Sequence, residues 1–170
     1  IARKFNHVYG DVLVEPHPLL TETPKVPGTD GRKMSKSYGN TVDICETPES
    51  LSAKVMSMYT DKTKVRANDP GHPESCEANP PGCTVFALHK LYSPHHAARG
   101  TECRAGSIGC VACKKDLLKS LDGPFTEFRK ARERYAARPG QVDEILAEGA
   151  CRAKAAAAET MAQVRRAVKI

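Results

Sequence analysis

Residues 30–40, DGRKMSKSYGN, place two lysines and two serines within five positions, with a glycine on either side. Lys33 and Lys36 supply point charges three residues apart, and Ser35 and Ser37 add hydroxyls beside them. Ammonium groups, hydroxyls and backbone N–H groups readily share phosphate oxygens. Gly31 and Gly39 admit unusual dihedrals and provide a hinge at each end. A basic loop hinged in this way can close on a polyphosphate as charge moves onto the leaving group. The G-x-x-x-x-G-K-S/T order of a Walker loop is absent. By composition alone, the same residues also make a plain solvated basic loop.

The cysteines form the second pattern. There are seven, and Cys103, Cys110 and Cys113 follow a C-x6-C-x2-C spacing. Cys110 and Cys113 open a predicted helix, so they share a face and sit where the helix dipole favours thiolates. Cys83 or Cys76 supplies a fourth thiol. Four soft thiolates suit zinc or an iron–sulfur cluster. No secretory signal is visible, so the pattern reads as a metal or redox site before a disulfide framework. His89, His95 and His96 are substitute ligands in the zinc version, and reduced, unliganded thiols are the simplest alternative. Cys45 and Cys151 fall outside the pattern and are expected to be small buried residues.

Periodicity supplies the elements that must position these groups. Residues 1–7 look like a helix end, stopped by Gly10. DVLVEP reads as a short strand stopped by Pro16, with a second short strand possible around Lys25 and Val26. Thr47 and Pro48 read as an N-cap and first helical residue, followed by a stripe of Leu51, Val55, Met58 and Tyr59. Residues 67–82 are turn-rich; Asp69 and His72 read as marks of a functional loop, while turn chemistry alone accounts for Asp69-Pro70-Gly71. Further helices are expected from Thr84 (Val85, Phe86, Leu88, Leu91), over about 107–121 (Ile108, Val111, Leu118), and after Asp122-Gly123-Pro124 (Phe125, Phe128, Tyr135). A last helix over 141–169 carries small residues that let a neighbour approach. The fold expected is mostly α, with loops and short strands before a boundary near residue 45 and a helical domain after it.

The 170 residues are 40% apolar and 5% aromatic, enough for a modest core. No apolar run approaches the ~20 residues of a membrane span. The sequence starts at Ile1 in what reads as a helix already under way, so a longer protein is expected. Net charge is +6, and residues 114–170 carry 13 Lys/Arg against 8 Asp/Glu. Arg129, Lys130, Arg132 and Arg134 cluster on the helix after Pro124. They read either as contacts to an RNA backbone or as a solvated face interleaved with Glu127 and Glu133.

Lys33-Met34-Ser35-Lys36-Ser37 spells KMSKS, the second signature of class I aminoacyl-tRNA synthetases. With VPGTDGRKMSKSYGNTVDI, KVMSMYTD, DPGHPE, VFALHKLYSP and VDEILAEGACRAKAAAAETMAQVRRAV, the chain resembles the bacterial tryptophanyl-tRNA synthetases over nearly its whole length. The resemblance implies that residues 1–45 end a Rossmann-type catalytic domain and that residues 46–170 form an α-helical anticodon-binding domain. It implies ATP-dependent activation of L-tryptophan with Mg²⁺, then transfer to tRNA(Trp). Lys33 and Lys36 would be the catalytic phosphate contacts, Ser35 and Ser37 would assist, and the Met34 backbone would lie near adenine. SIGCVACKK resembles a subset with a [4Fe-4S] cluster, which implies Cys83, Cys103, Cys110 and Cys113 as ligands, with Zn²⁺ as the alternative, and leaves Cys76 spare. A cytoplasmic homodimer is implied for the full-length protein. The family's HIGH signature and tryptophan pocket lie upstream of Ile1, so these residues alone are expected to be inactive. A metal-stapled RNA-binding module without catalysis is the alternative.

Overall fold

Local rules account for most of the helix ends in the computed structural model, which describes residues 1–21 and 23–170. Helix α1 spans Ala2–Tyr9, and Gly10 ends it at φ 87°. In α2, Pro48–Ser57, Thr47 is the N-cap, and its hydroxyl accepts the Ser50 N–H at 3.2 Å. Helix α3 is Thr84–Tyr92, α4 His96–Arg104, α5 Cys110–Ala136 and α6 Pro139–Val168. A single 3₁₀ turn covers Lys36–Tyr38. The fold is mostly helical, 57% helix, as the sequence indicates.

The short strands expected at DVLVEP and around Val26 do not form. Among the described residues the β pairing is one isolated bridge, Pro27 to Lys33. Asn6 takes the place of a partner strand for the first segment. Its side chain donates to Leu13 O at 2.6 Å and accepts from the Leu13 and Val12 amides at 2.9 and 3.3 Å. The backbone groups that a sheet would satisfy are met locally.

The chain divides into two compact units, residues 1–20 with 134–170, and residues 21–133. In the first, the 30-residue α6 has no buried residue, and Ile145 and Leu146 are exposed.

The second unit holds the core. Leu51, Val55 and Met58 meet Val85 and Leu88, then Leu117, Leu121 and Phe125 of α5. The α5 residues step by four, so they lie on one stripe. That stripe differs from the expected one, since Val111 is 57% exposed. Pro124 was expected to break the chain here, yet α5 runs through it. Leu121 and Phe125 are buried on either side, each contributing about 1.5–3 kcal/mol, which together offsets the ~3 kcal/mol of an internal proline.

Buried polar groups lock the connections. Lys114 is buried, and its ammonium donates to Met56 O and Met58 O at 2.8 and 2.9 Å, closing the C-terminal end of α2. Loop 67–82 is fixed by Asn79, whose side chain donates to His72 O at 2.9 Å. Asp61 accepts the His72 N–H at 2.6 Å.

Candidate functional site

The lysine–serine loop begins with a tight turn. Gly28 N donates to Arg32 O at 2.7 Å, and Gly31 takes φ 87°. The Met34 amide then donates to Val26 O at 3.1 Å, drawing the two arms together. Asp30 accepts from the Arg32 amide at 3.0 Å and from its Nε at 2.6 Å, while the Arg32 guanidinium stacks 4.5 Å over the Tyr38 ring. Hydrogen bonds from Asn40, then Arg32, hold the Asp30 carboxyl down at about 2.

At the loop's exit, Asn40 is buried at 3% exposure. Its Oδ1 accepts the Ser35 N–H at 2.8 Å, and its Nδ2 donates to Asp30 at 2.7 Å and to Lys33 O at 3.2 Å. Sequence reasoning passed over Asn40, because an asparagine after a glycine reads as ordinary turn chemistry.

On this frame Lys33 and Lys36 are exposed, and among the described residues neither is in an ion pair. The Ser35 and Ser37 hydroxyls are 2.9 Å apart. Met34 faces the other way and lines a groove with Val26, Val42, Leu88, Tyr92 and Phe125. The result is an anchored turn that presents two ammonium groups and two hydroxyls to solvent, an arrangement able to take a polyphosphate.

The second site is built from three helices. Cys83 is the N-cap of α3, Cys103 lies in the last turn of α4, and Cys110 and Cys113 are in the first turn of α5. All four line one small cavity of about 20 Å³, together with Lys64 and Arg99. Cys76, exposed, is not among the lining residues. Burial pushes the Cys113 thiol up to about 12 and raises Cys83 and Cys103 as well, with the neighbouring cysteines adding to the rise. Hydrogen bonds from the Phe86 and Val85 amides act in the opposite sense at Cys83, as does positive charge from Lys64 near Cys103 and Arg99 near Cys113.

Among the described residues, no three Cys, His, Asp or Glu side chains are grouped closely enough to hold a metal ion. His89 is fully buried against the site, its Nε2 3.1 Å from Cys113 O and 3.5 Å from Cys113 Sγ. Burial lowers its pKa, which favours the neutral ring. His96 instead turns its Nδ1 to Ser93 O, 3.1 Å away. Neither His95 nor His96 lines the cavity.

A family model described as tRNA synthetases class I (W and Y) matches residues 1–126. The chain belongs to that family. It is 44% identical over 173 residues to a tryptophan–tRNA ligase of Aquifex aeolicus, covering 100% of this chain and 42% of the relative. It is 42% identical to that of Thermotoga maritima, covering 100% of this chain and 51% of the relative. A crystal structure of tryptophanyl-tRNA synthetase from Campylobacter jejuni complexed with ADP and tryptophan superposes at TM-score 0.69 and 28% identity, over 99% of this chain and 51% of that one. The chain thus spans about half the length of the relatives it matches.

Several residues of this class I synthetase chain that shape the sites carried no sequence signal of their own. Gly71, explained by turn chemistry in the sequence, packs against Cys103. Lys64 and Arg99 look like surface charges by type, yet both line the thiol cavity. Cys45 is only partly buried and Cys151 is exposed, against the expectation that both are buried. The basic cluster on α5 also divides. Arg129 donates to Glu46 O at 3.0 Å and Lys130 pairs with Glu127 at 3.0 Å, while Arg132 is exposed. Among the described residues, no helix is long and apolar enough to cross a membrane.

Proposed function

We propose that this chain serves in the ATP-dependent joining of L-tryptophan to tRNA(Trp) through tryptophanyl-adenylate. One observation carries the reading: Lys33 and Lys36 are exposed on a braced turn, free for an external anion. The tryptophan carboxylate attacks the α-phosphorus of ATP, and pyrophosphate leaves with the α–β bridging oxygen. Lys33 and Lys36, with Mg²⁺, neutralise the charge that builds on pyrophosphate in that transition state. Ser35 and Ser37 add hydrogen bonds, and the Met34 backbone lies beside adenine. Residues 1–45 form the end of the catalytic domain and residues 46–170 the anticodon-binding domain, with the basic helix near the anticodon. On family resemblance, the full-length protein is a cytoplasmic homodimer.

The thiol cavity is the place for a [4Fe-4S] cluster held by Cys83, Cys103, Cys110 and Cys113. What supports this is the donor set: four thiols from three helices around one space, with Lys64 and Arg99 offsetting negative charge. The same four thiols would serve a single Zn²⁺ as the alternative. When bound, such a group cross-links α3, α4 and α5. Iron and zinc analysis with visible absorbance on anaerobically purified protein separates the two.

The functional test is Lys36→Ala in the full-length protein. Tryptophan-dependent ATP–pyrophosphate exchange should fall by on the order of 10²-fold in kcat with KM for tryptophan nearly unchanged. Unchanged exchange in Lys33→Ala and Lys36→Ala, with tRNA still bound by residues 46–170, would instead indicate an RNA-binding module without catalysis.

A further inference from the structure

The shape of the lysine–serine loop is set from outside the KMSKS signature. The Asn40 side chain is engaged through both its amide nitrogen and its Oδ1. One N–H goes to the Asp30 carboxylate at 2.7 Å and the other to Lys33 O at 3.2 Å, while Oδ1 takes the Ser35 N–H at 2.8 Å. Its backbone carbonyl accepts the Thr29 N–H at 3.0 Å. The partners fix the amide's orientation, because a flipped amide would set its oxygen against a carboxylate and a carbonyl.

The space is equally specific. A Cβ on Gly28 would stand 2.2 Å from Asn40 Nδ2 and 2.8 Å from Asn40 O, so Gly28 leaves room for the hub. Lys33 is bonded through its carbonyl and Ser35 through its amide, so the hub straddles Met34 and sets the backbone that aims the first ammonium. Lys36 follows directly, in the 3₁₀ turn capped by Gly39 at φ 64°.

We propose that Asn40 is a positioning residue for adenylate formation, fixing through Asp30, Lys33 and Ser35 the spacing at which the two ammonium groups meet the triphosphate. The inference rests on the synthetase reading above. Asn40 touches no reacting atom; it removes the conformational freedom that the lysines would otherwise lose during the reaction. Aspartate is nearly the same size but has no N–H to donate, and it places a carboxylate against Asp30. Asn40→Asp therefore removes both donors and sets two carboxylates against each other at nearly unchanged size.

The measurement is tryptophan-dependent ATP–pyrophosphate exchange in the full-length protein, with thermal midpoint and KM for tryptophan read alongside. Asn40→Asp should lower kcat on the order of 10²-fold while KM for tryptophan stays within about twofold. Asp30→Asn combined with Asn40→Asp restores a donor–acceptor pair in reverse and should recover about tenfold of that loss. Asp30 is partly exposed at a turn, so Asp30→Ala should fold even if Asn40→Asp does not, and should cost about tenfold in kcat. Wild-type kcat in Asn40→Asp overturns the proposal. So does wild-type kcat in Asp30→Ala where Asn40→Asp fails to fold, or a loss shared equally by kcat, tryptophan KM and thermal midpoint. If Lys36→Ala is also without effect, the synthetase reading itself has failed; if Lys36→Ala is slow and Asn40→Asp is not, only the positioning role has.

Discussion

Gly71 and Cys103 pack together with no room for a side chain between them. The Gly71 amide donates to Cys103 O at 2.9 Å, and a Cβ added at Gly71 would lie 2.7 Å from Cys103 Sγ and 3.0 Å from Lys64 Cδ. A substitution there displaces a thiol that lines the cavity or the lysine beside it. Gly71→Ala is therefore expected to cost about 1–3 kcal/mol of stability, read as a lower urea midpoint at unchanged m-value. If a cluster is bound, the same variant should also hold less iron per chain. A Gly71→Ala protein with wild-type midpoint and iron content would show that the contact is looser than described.

Lys114 tests how α5 is fastened to α2. Its buried ammonium closes two carbonyls at the end of α2, Met56 O and Met58 O. Lys114→Met keeps the length and apolar stem but leaves those carbonyls without their donor. Expected destabilisation is about 1–3 kcal/mol, seen in denaturant titration followed by circular dichroism. Lys119→Met, on the same helix without such bonds, is the control and should stay within about 0.5 kcal/mol.

Much of this was legible in the sequence, and the part that was not has a physical reason. Thr47-Pro48 and the Leu51-Val55 spacing locate α2 because cap chemistry and helical period are local. The four cysteines that share a cavity are those picked by spacing and family resemblance, although they lie on three separate helices. Pro124 misled, because the burial of Leu121 and Phe125 that carries the helix past it depends on partners far away in sequence. DVLVEP misled for the same reason: a strand needs a neighbour, and Asn6 answers its backbone groups instead. Asn40, Gly28, Gly71 and Lys64 are ordinary by residue type. Their roles exist only once the chain has folded back on itself.

Acid should loosen the N-terminal end of α2. Hydrogen bonds from Lys54 and then Ser50, the latter at 2.5 Å, hold the Glu46 carboxyl below its ordinary range. The folded state thus binds the Glu46 proton less tightly than the unfolded chain does. This contribution to stability is fully present above the ordinary glutamate pKa, ~4.3, and is lost as pH falls through the lower folded value. Thermal midpoints measured from pH 6 down to pH 3 should show an acid-side decline that is shallower in Glu46→Gln. Equal slopes in the two proteins would assign the acid sensitivity elsewhere.

The basic group on α5 should separate into one structural residue and one free for RNA. Arg129 bridges Glu46 O at 3.0 Å and Thr126 Oγ1 at 2.7 Å, so its guanidinium is already engaged within the fold. Arg129→Ala is expected to cost about 1–1.5 kcal/mol in stability, because Glu46 O loses its donor. Arg132 is exposed and has no such bond among the described residues. Its replacement by alanine should leave stability within about 0.5 kcal/mol. If the helix meets tRNA, Arg132→Ala should weaken binding and reduce the slope of log affinity against log salt by about one. Binding of tRNA measured at several salt concentrations decides the matter: a salt slope and affinity in Arg132→Ala equal to wild type would remove this face of α5 from the RNA interface.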